Sequence, residues 1–251
     1  MPTDAYVLAG RAVQWLAAFP GMTSLLWVAV TLAAYSVTMA LYRRSRAHPL
    51  MLPVVTGTAT VVLLLLATGT SYDAYFAAVS PLVFMIGPAT VALAVPLFGQ
   101  VRRLKVIWWP VTVALLAGSV VAIVSALLIA WAFGGSAQTL ISLAPKSATM
   151  PIATSLNAHF GGSVPLAAAA VAITGIAGTM LSGPVLRGLF GPLDEAVHGF
   201  TLGLTAHAIG TARALQVSET AGAFAAMAMS LNGLVTALLM PLAVRWITAV
   251  S

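Results

Sequence analysis

Ten residues near the middle of the chain could do chemistry together: Ala144-Pro145-Lys146-Ser147-Ala148-Thr149-Met150-Pro151-Ile152-Ala153. Lys146 is the only lysine or arginine between Lys105 and Arg187. Two prolines bracket it together with two hydroxyls, Ser147 and Thr149. Proline has no backbone N–H and interrupts a helical ladder. At membrane depth the backbone groups freed by such a break survive only where protein or a watery cavity satisfies them. An ammonium and two hydroxyls at such a break can hold an anion. The plainer alternative is a loop whose lysine stem lies along apolar surface with its charge in water.

A second set lies downstream. Gly199, Gly203, His207 and Gly210 follow one another at steps of four, four and three, which places them on one face of a continuous helix. Gly199 and Gly203 form a GxxxG pair that lets another backbone approach. That face is expected to pack against the interrupted segments and to bring His207 near Lys146. Histidine titrates near neutrality, so His207 is the candidate proton-linked group. Asn232 and Thr236 sit inside the last apolar run, where an asparagine usually joins helices. Asp194 and Glu195 suit the first turn of a helix.

The elements that must carry these residues follow from composition. Of 251 residues, 61% are hydrophobic and 6% charged, far from the roughly 25% charged of a soluble domain. This is the composition of an integral membrane protein. Eleven basic and five acidic residues give a net charge of +6, but the basic residues gather in short loops, as orientation signals do, and no nucleic-acid partner is expected. There is no cysteine, no phosphate-binding glycine loop and no HExxH, and the histidine and carboxylate spacing fits no standard metal site. Neither an enzyme nor a cofactor is expected. Nor is a removable signal peptide.

Residues 1–20 read as an extra or interfacial helix, and 21–251 as the transmembrane domain. Apolar runs at 22–42 and 49–69 flank Arg43, Arg44, Arg46 and His48, and a run at 81–99 leads to Arg102, Arg103 and Lys105. Both clusters should face the cytoplasm. The run at 81–99 is expected to break around Pro88. Residues 106–133 form a clean span, 136–143 and 152–160 two half-helices, 164–186 another span and 221–246 the last. The fold class is an all-α polytopic protein of about seven or eight spanning or half-spanning segments, by the 20-residue rule. The stretch Gly87–Pro96 echoes Ala144–Pro151: a small residue, a proline, an early hydroxyl (Thr90 or Ser147) and a second proline. Paired interrupted segments in two halves point to inverted repeats and a site near the midplane.

These residues carry a resemblance. Ala144-Pro-Lys-Ser-Ala-Thr-Met-Pro-Ile-Ala153 resembles the PKSxTxPIA signature of the LrgB/CidB family, and Ala206-His-Ala-Ile-Gly-Thr-Ala-Arg213 is similar to its SHxxGTA motif. Ser71–Phe76 and Gly87–Leu97 match in order and spacing, so the likeness runs from about residue 22 to 246. Bacterial members are described as antiholin-like regulators of murein hydrolases, working with a small holin-like partner of LrgA/CidA type. A related plant plastid protein is a glycolate/glycerate translocator. The resemblance therefore implies a transporter of small 2-hydroxy or related monocarboxylates. It carries over Lys146, Ser147, Thr149, His207, Gly210 and Thr211 as site residues. Gln216, Ala221 and Met150 depart from the family pattern, which often has glutamate at the first two and a polar residue at the third.

The sequence thus reads as a secondary transporter of small carboxylates in the bacterial cytoplasmic membrane. Lys146 supplies the charge, and Ser147, Thr149 and Thr90 supply donors. Homo-oligomerisation is expected. The alternative is an antiholin-like regulator of a holin-type pore that controls murein hydrolase activity and lysis.

Overall fold

The computed structural model describes residues 20–45, 51–92 and 94–250. The expected N-terminal segment, apart from its last residue, and the basic residues Arg46 and His48 fall outside them. The described residues are helical, without strands. Four helices are long and apolar enough to cross a membrane, and Pro53–Thr68 with Tyr72–Ala78 makes a fifth if that bent pair is one span. The protein is therefore an all-helical membrane protein.

The chain divides into two compact units, Met1–Ala92 and Leu93–Ser251. In the first, α1 (Pro20–Arg44) packs with α2 (Pro53–Thr68), α3 (Tyr72–Ala78) and α4 (Ser80–Ala92). Gly69, left-handed at φ 66, ends α2, and α3 leaves at 117° with Ser71 as its N-cap. Tyr75 fixes α3 to α1 through an edge-on contact with Trp27 and a 3.0 Å hydrogen bond with Thr31. The expected break around Pro88 is not there: α4 runs through that proline. Helices in lipid tolerate proline because neighbours and local adjustment satisfy the freed groups.

The second unit contains α5 (Ala94–Gly99), α6 (Val101–Ala132), α7 (Ala137–Leu143), α8 (Met150–Phe160), α9 (Val164–Phe190), α10 (Glu195–Val217) and α11 (Glu219–Val250). α6 bends at Ile107 (φ −104, ψ 18), where Pro110 cannot donate to the carbonyl of Val106. Residues 221–229 of α11 are all buried, and most are alanine or glycine. Apolar burial drives little between helices already in lipid, so close backbone approach through small residues carries the packing.

α10 is the largest departure from expectation. His207 has φ 42 and ψ −127, the only non-glycine residue with positive φ among the described residues. The chain doubles back there. The Ser218 hydroxyl donates to Glu195 Oε2 at 2.7 Å, across 23 residues. Leu202 of the first arm packs with Ala214 of the second. Residues 195–206 and 208–217 are thus the arms of a helical hairpin with His207 at its tip. The single face expected from the residue spacing is lost with the continuous helix. Gly199 and Gly203 lie against the backbone of Ala221 and Ala225 in α11, Gly210 against Leu202 and Ala206 of its own hairpin, and His207 against Gly175 of α9.

At the open end of this hairpin Asp194 caps α10 by accepting from Ala196 N–H (2.8 Å) and pairs with Arg103 at 2.8 Å. The Arg103 hydrogen bond holds the Asp194 carboxyl below the usual carboxylate range. A depressed folded-state pKa gives stability that is present above the unfolded pKa and lost as the pH falls through the folded one. Both side chains are about half exposed, so the pair itself contributes less than about 1 kcal/mol. Asparagine caps as well as aspartate, so Asp194→Asn should cost no more than that. Asp194→Ala should cost about 1 kcal/mol more. Unfolding in mixed detergent micelles would read both. Equal losses would mean that the cap contributes nothing.

Candidate functional site

Two interrupted segments enter the second unit from opposite ends. The α10 hairpin starts beside the N-terminal ends of α6 and α11, where Arg103 meets Asp194 and Ser218 meets Glu195. The other starts at the far ends of those helices. Leu140, Ile141 and Ala144 pack with Ile123 and Leu127 of α6 and with Met240, Ala243 and Ile247 of α11. From there α7 leads inward to the loop 144–149, and α8 leads back. Ile152 reaches Gly233, while Leu156 and Phe160 return to the Met240–Ile247 cluster. Gly161, left-handed at φ 80, turns the chain into α9. The two half-helices expected from Pro145 and Pro151 are therefore present, and the loop between them lies deep in the unit.

Asn232 of α11 ties the two tips together. Its Nδ2 donates to Ser147 O at 2.8 Å and to Leu204 O at 3.3 Å. Its Oδ1 accepts from the Ser119 hydroxyl of α6 at 2.7 Å. The Leu204 carbonyl needs this partner because a helical bond to it would span the non-helical torsions of His207. One buried amide thus joins the loop, the hairpin and α6.

Ser147 is buried, and Lys146 and Thr149 are half-buried. Among the described residues no carboxylate pairs with Lys146; the one ion pair there is Arg103–Asp194. Thr149 is the N-cap of α8 in position (φ −66, ψ 151), but its side chain makes no capping bond. Pro151 removes one of the orphan donors of the first turn, and the N–H groups of Met150 and Ile152 remain. A cation, two hydroxyls and an uncapped helix start of an 11-residue helix are a suitable environment for a small anion.

His207 is buried, and its Nε2 lies 3.0 Å from Val171 O. A carbonyl only accepts, so Nε2 carries the proton. A Cβ at Gly175 would stand 2.6 Å from His207 Cε1, so that glycine makes the room for the ring. Thr211 is buried and donates to His207 O at 2.8 Å, which bridges the break. No hydrogen bond joins His207 to Lys146; their segments meet through Asn232. Gly210 is part of the hairpin packing. Thr90 belongs to α4, and its side chain lies outside the described residues.

Sequence reasoning did not find Ser119 as a partner of Asn232, nor Asn157. The latter is fully buried, donates to Ala153 O at 2.9 Å and leaves its Oδ1 unpaired. A polar amide in an apolar half-helix was the available signal. An apolar cleft of about 470 Å³ runs beside α6 and α10 from Arg103 and Asp194 to Leu204. Its walls suit hydrocarbon better than a carboxylate.

This geometry, an all-helical membrane unit with two opposed interrupted segments, defines the class of protein. The chain belongs to the LrgB-like family, whose model matches residues 31–246. It is 32% identical over 217 residues to the Bacillus subtilis (strain 168) protein YxaC, covering 86% of this chain and 94% of that one. It is 28% identical over 221 residues to a Bacillus mycoides (strain KBAB4) protein named antiholin-like protein LrgB, covering 88% and 96%. A Bacillus cereus (strain B4264) protein of the same name is 27% identical over 221 residues, with the same coverage. No solved structure matches the chain.

Proposed function

We propose that this is an antiholin-like protein of the bacterial cytoplasmic membrane that regulates a holin-type pore, and that it does so through a small-anion site at the tips of its two interrupted segments. The names of the relatives support the first part more directly than any other function. The observation that supports the second is Lys146 in a deep loop, next in sequence to Ser147 and near Thr149, with no carboxylate partner for the lysine and no hydrogen-bond partner for either hydroxyl among the described residues. A small holin-like membrane protein is the natural partner of such a regulator.

A second reading is favoured by one specific feature. Opposed interrupted helices meeting inside a membrane unit are the arrangement of secondary transporters. On this reading the unit moves a small monocarboxylate such as glycolate, glycerate, lactate or pyruvate by alternating access. The halves around the α7–α8 and α10 hairpins are then inverted counterparts, with the α10 hairpin in the place first expected of the Pro88 segment.

Uptake of glycolate, glycerate, lactate, pyruvate and acetate into reconstituted vesicles separates the readings. Saturation with counterflow means a carrier, and a linear leak means a pore. No flux, together with altered lysis when the chain is expressed, means a regulator. If a carrier is found, His207→Gln should keep the Val171 bond, because an amide also donates, and should flatten the pH dependence of uptake. An unchanged pH profile would make His207 a packing residue.

Orientation is a separate expectation. Arg187 and Arg213 lie towards the same end of the unit as Arg102, Arg103 and Lys105, which strengthens the case for that end facing the cytoplasm. In this cysteine-free chain, single cysteines at Gln100 and Ser136 should label from opposite sides, Gln100 from the cytoplasm. Labelling of both from one side would contradict it.

A further inference from the structure

A second cationic cluster lies at the Arg103 end of the second unit, apart from the loop and hairpin tips. Arg187 is exposed near the end of α9, three residues or roughly 5 Å before Phe190. Its Nε donates to Gly183 O at 3.3 Å. A Cβ at Gly183 would lie 3.2 Å from Arg187 Nη2 and 3.6 Å from His198 Nε2. The guanidinium of α9 and the imidazole of α10 therefore converge over one bare point of backbone. Arg213, on the returning arm of the hairpin, donates to Gln216 Oε1 at 3.2 Å, and its charge also acts on His198. Of the acidic groups at this end, Asp194 pairs with Arg103, Glu195 accepts from Ser218, and Glu219 is exposed at the start of α11. Beside the cluster, the hydroxyl of Ser182 is buried without a partner.

We propose that Arg187, His198 and Arg213 form a headgroup site for an anionic phospholipid. The ligand chemistry is a phosphate anion, and the surroundings favour a lipid over free phosphate. Phe190, 72% exposed and three residues after Arg187 on the same side of α9, offers apolar surface for an acyl chain. Arg187 stands near the end of a helix long enough to cross a membrane, and basic pockets between membrane helices hold anionic headgroups in this way. Such a lipid would bind across α9 and both arms of the α10 hairpin, and so would hold the hairpin base closed.

The test is native mass spectrometry of the full chain in nonionic detergent, with phosphatidylglycerol and phosphatidylcholine offered at equal amounts. Phosphatidylglycerol should be retained about tenfold better, equivalent to about 1.4 kcal/mol. Arg187→Gln and His198→Gln together should bring retention to the phosphatidylcholine level. Arg44→Gln, which removes an exposed charge from the other unit, should leave it unchanged. Millimolar inorganic phosphate should not displace the lipid. Equal retention of the two lipids by the native chain would overturn the proposal, and this comparison needs no variant to fold. So would full retention by the double variant, equal loss with Arg44→Gln, or displacement by inorganic phosphate, which would mark a free-phosphate site.

Discussion

Replacing Lys146 with alanine should weaken small-carboxylate binding by at least about thirtyfold, and should abolish any saturable uptake. The reason is electrostatic. Among the described residues Lys146 has no carboxylate partner, although it is half-buried in a loop deep in the unit. A charge kept there without a protein partner is available to a ligand. Removing one member of a buried, hydrogen-bonded charge pair costs about 2 kcal/mol or more, which corresponds to that factor. The fold should survive, because no side chain among the described residues bonds to the ammonium. Lys146→Arg should restore part of the affinity, since a planar fork differs from a compact ammonium. Ser147→Ala and Thr149→Val should each cost less, as neutral donors do. The readout is binding of glycolate or lactate to the purified chain, which applies to a regulator as well as to a carrier. Wild-type affinity in Lys146→Ala would move the site elsewhere.

Much of the scaffold could be read from the residues, and the reasons are physical. Membrane composition and long uncharged runs fix spans by length, so α1, α6, α9 and α11 lie where the runs predicted. Pro145 and Pro151 interrupt the chain as their missing N–H groups require, and Ser136 and Gly161 bound the half-helices as cap and left-handed turn. Pro88 misled because a proline is a strong local signal that tertiary surroundings can absorb. The opposite error occurred at His207. Nothing local forces a break in Thr205-Ala206-His207-Ala208, since these residues suit a helix well enough. The hairpin exists because its arms find partners far along the chain: Glu195 with Ser218, Leu202 with Ala214, Gly199 and Gly203 with α11. A helical period read over residues 199–210 cannot contain that information. The site was legible to the same degree. The type and order of Lys146, Ser147 and Thr149 announced the loop, whereas the amide that locates it lies 85 residues from Ser147.

That amide carries the second large expected effect. Asn232→Leu should destabilise the second unit by about 2–5 kcal/mol, from three interhelical hydrogen bonds at up to about 1.7 kcal/mol each in membranes. Leucine is close in size to asparagine, so packing changes little and the loss is mainly polar. The Leu204 and Ser147 carbonyls would be left without their donor, and Ser119 without its acceptor. Ser119→Ala removes only the bond to α6 and should cost about 1 kcal/mol. Asn232→Asp keeps the acceptor for Ser119 and loses both donations, so it should behave like the leucine variant. The tips should also move apart, and carboxylate binding at Lys146 should weaken in Asn232→Leu while Ser119→Ala leaves it near wild type. Detergent unfolding read beside binding gives both quantities from the same samples. If Asn232→Leu costs no more stability than Ser119→Ala and binds carboxylate equally well, the amide serves only α6, and the two tips are held by packing alone.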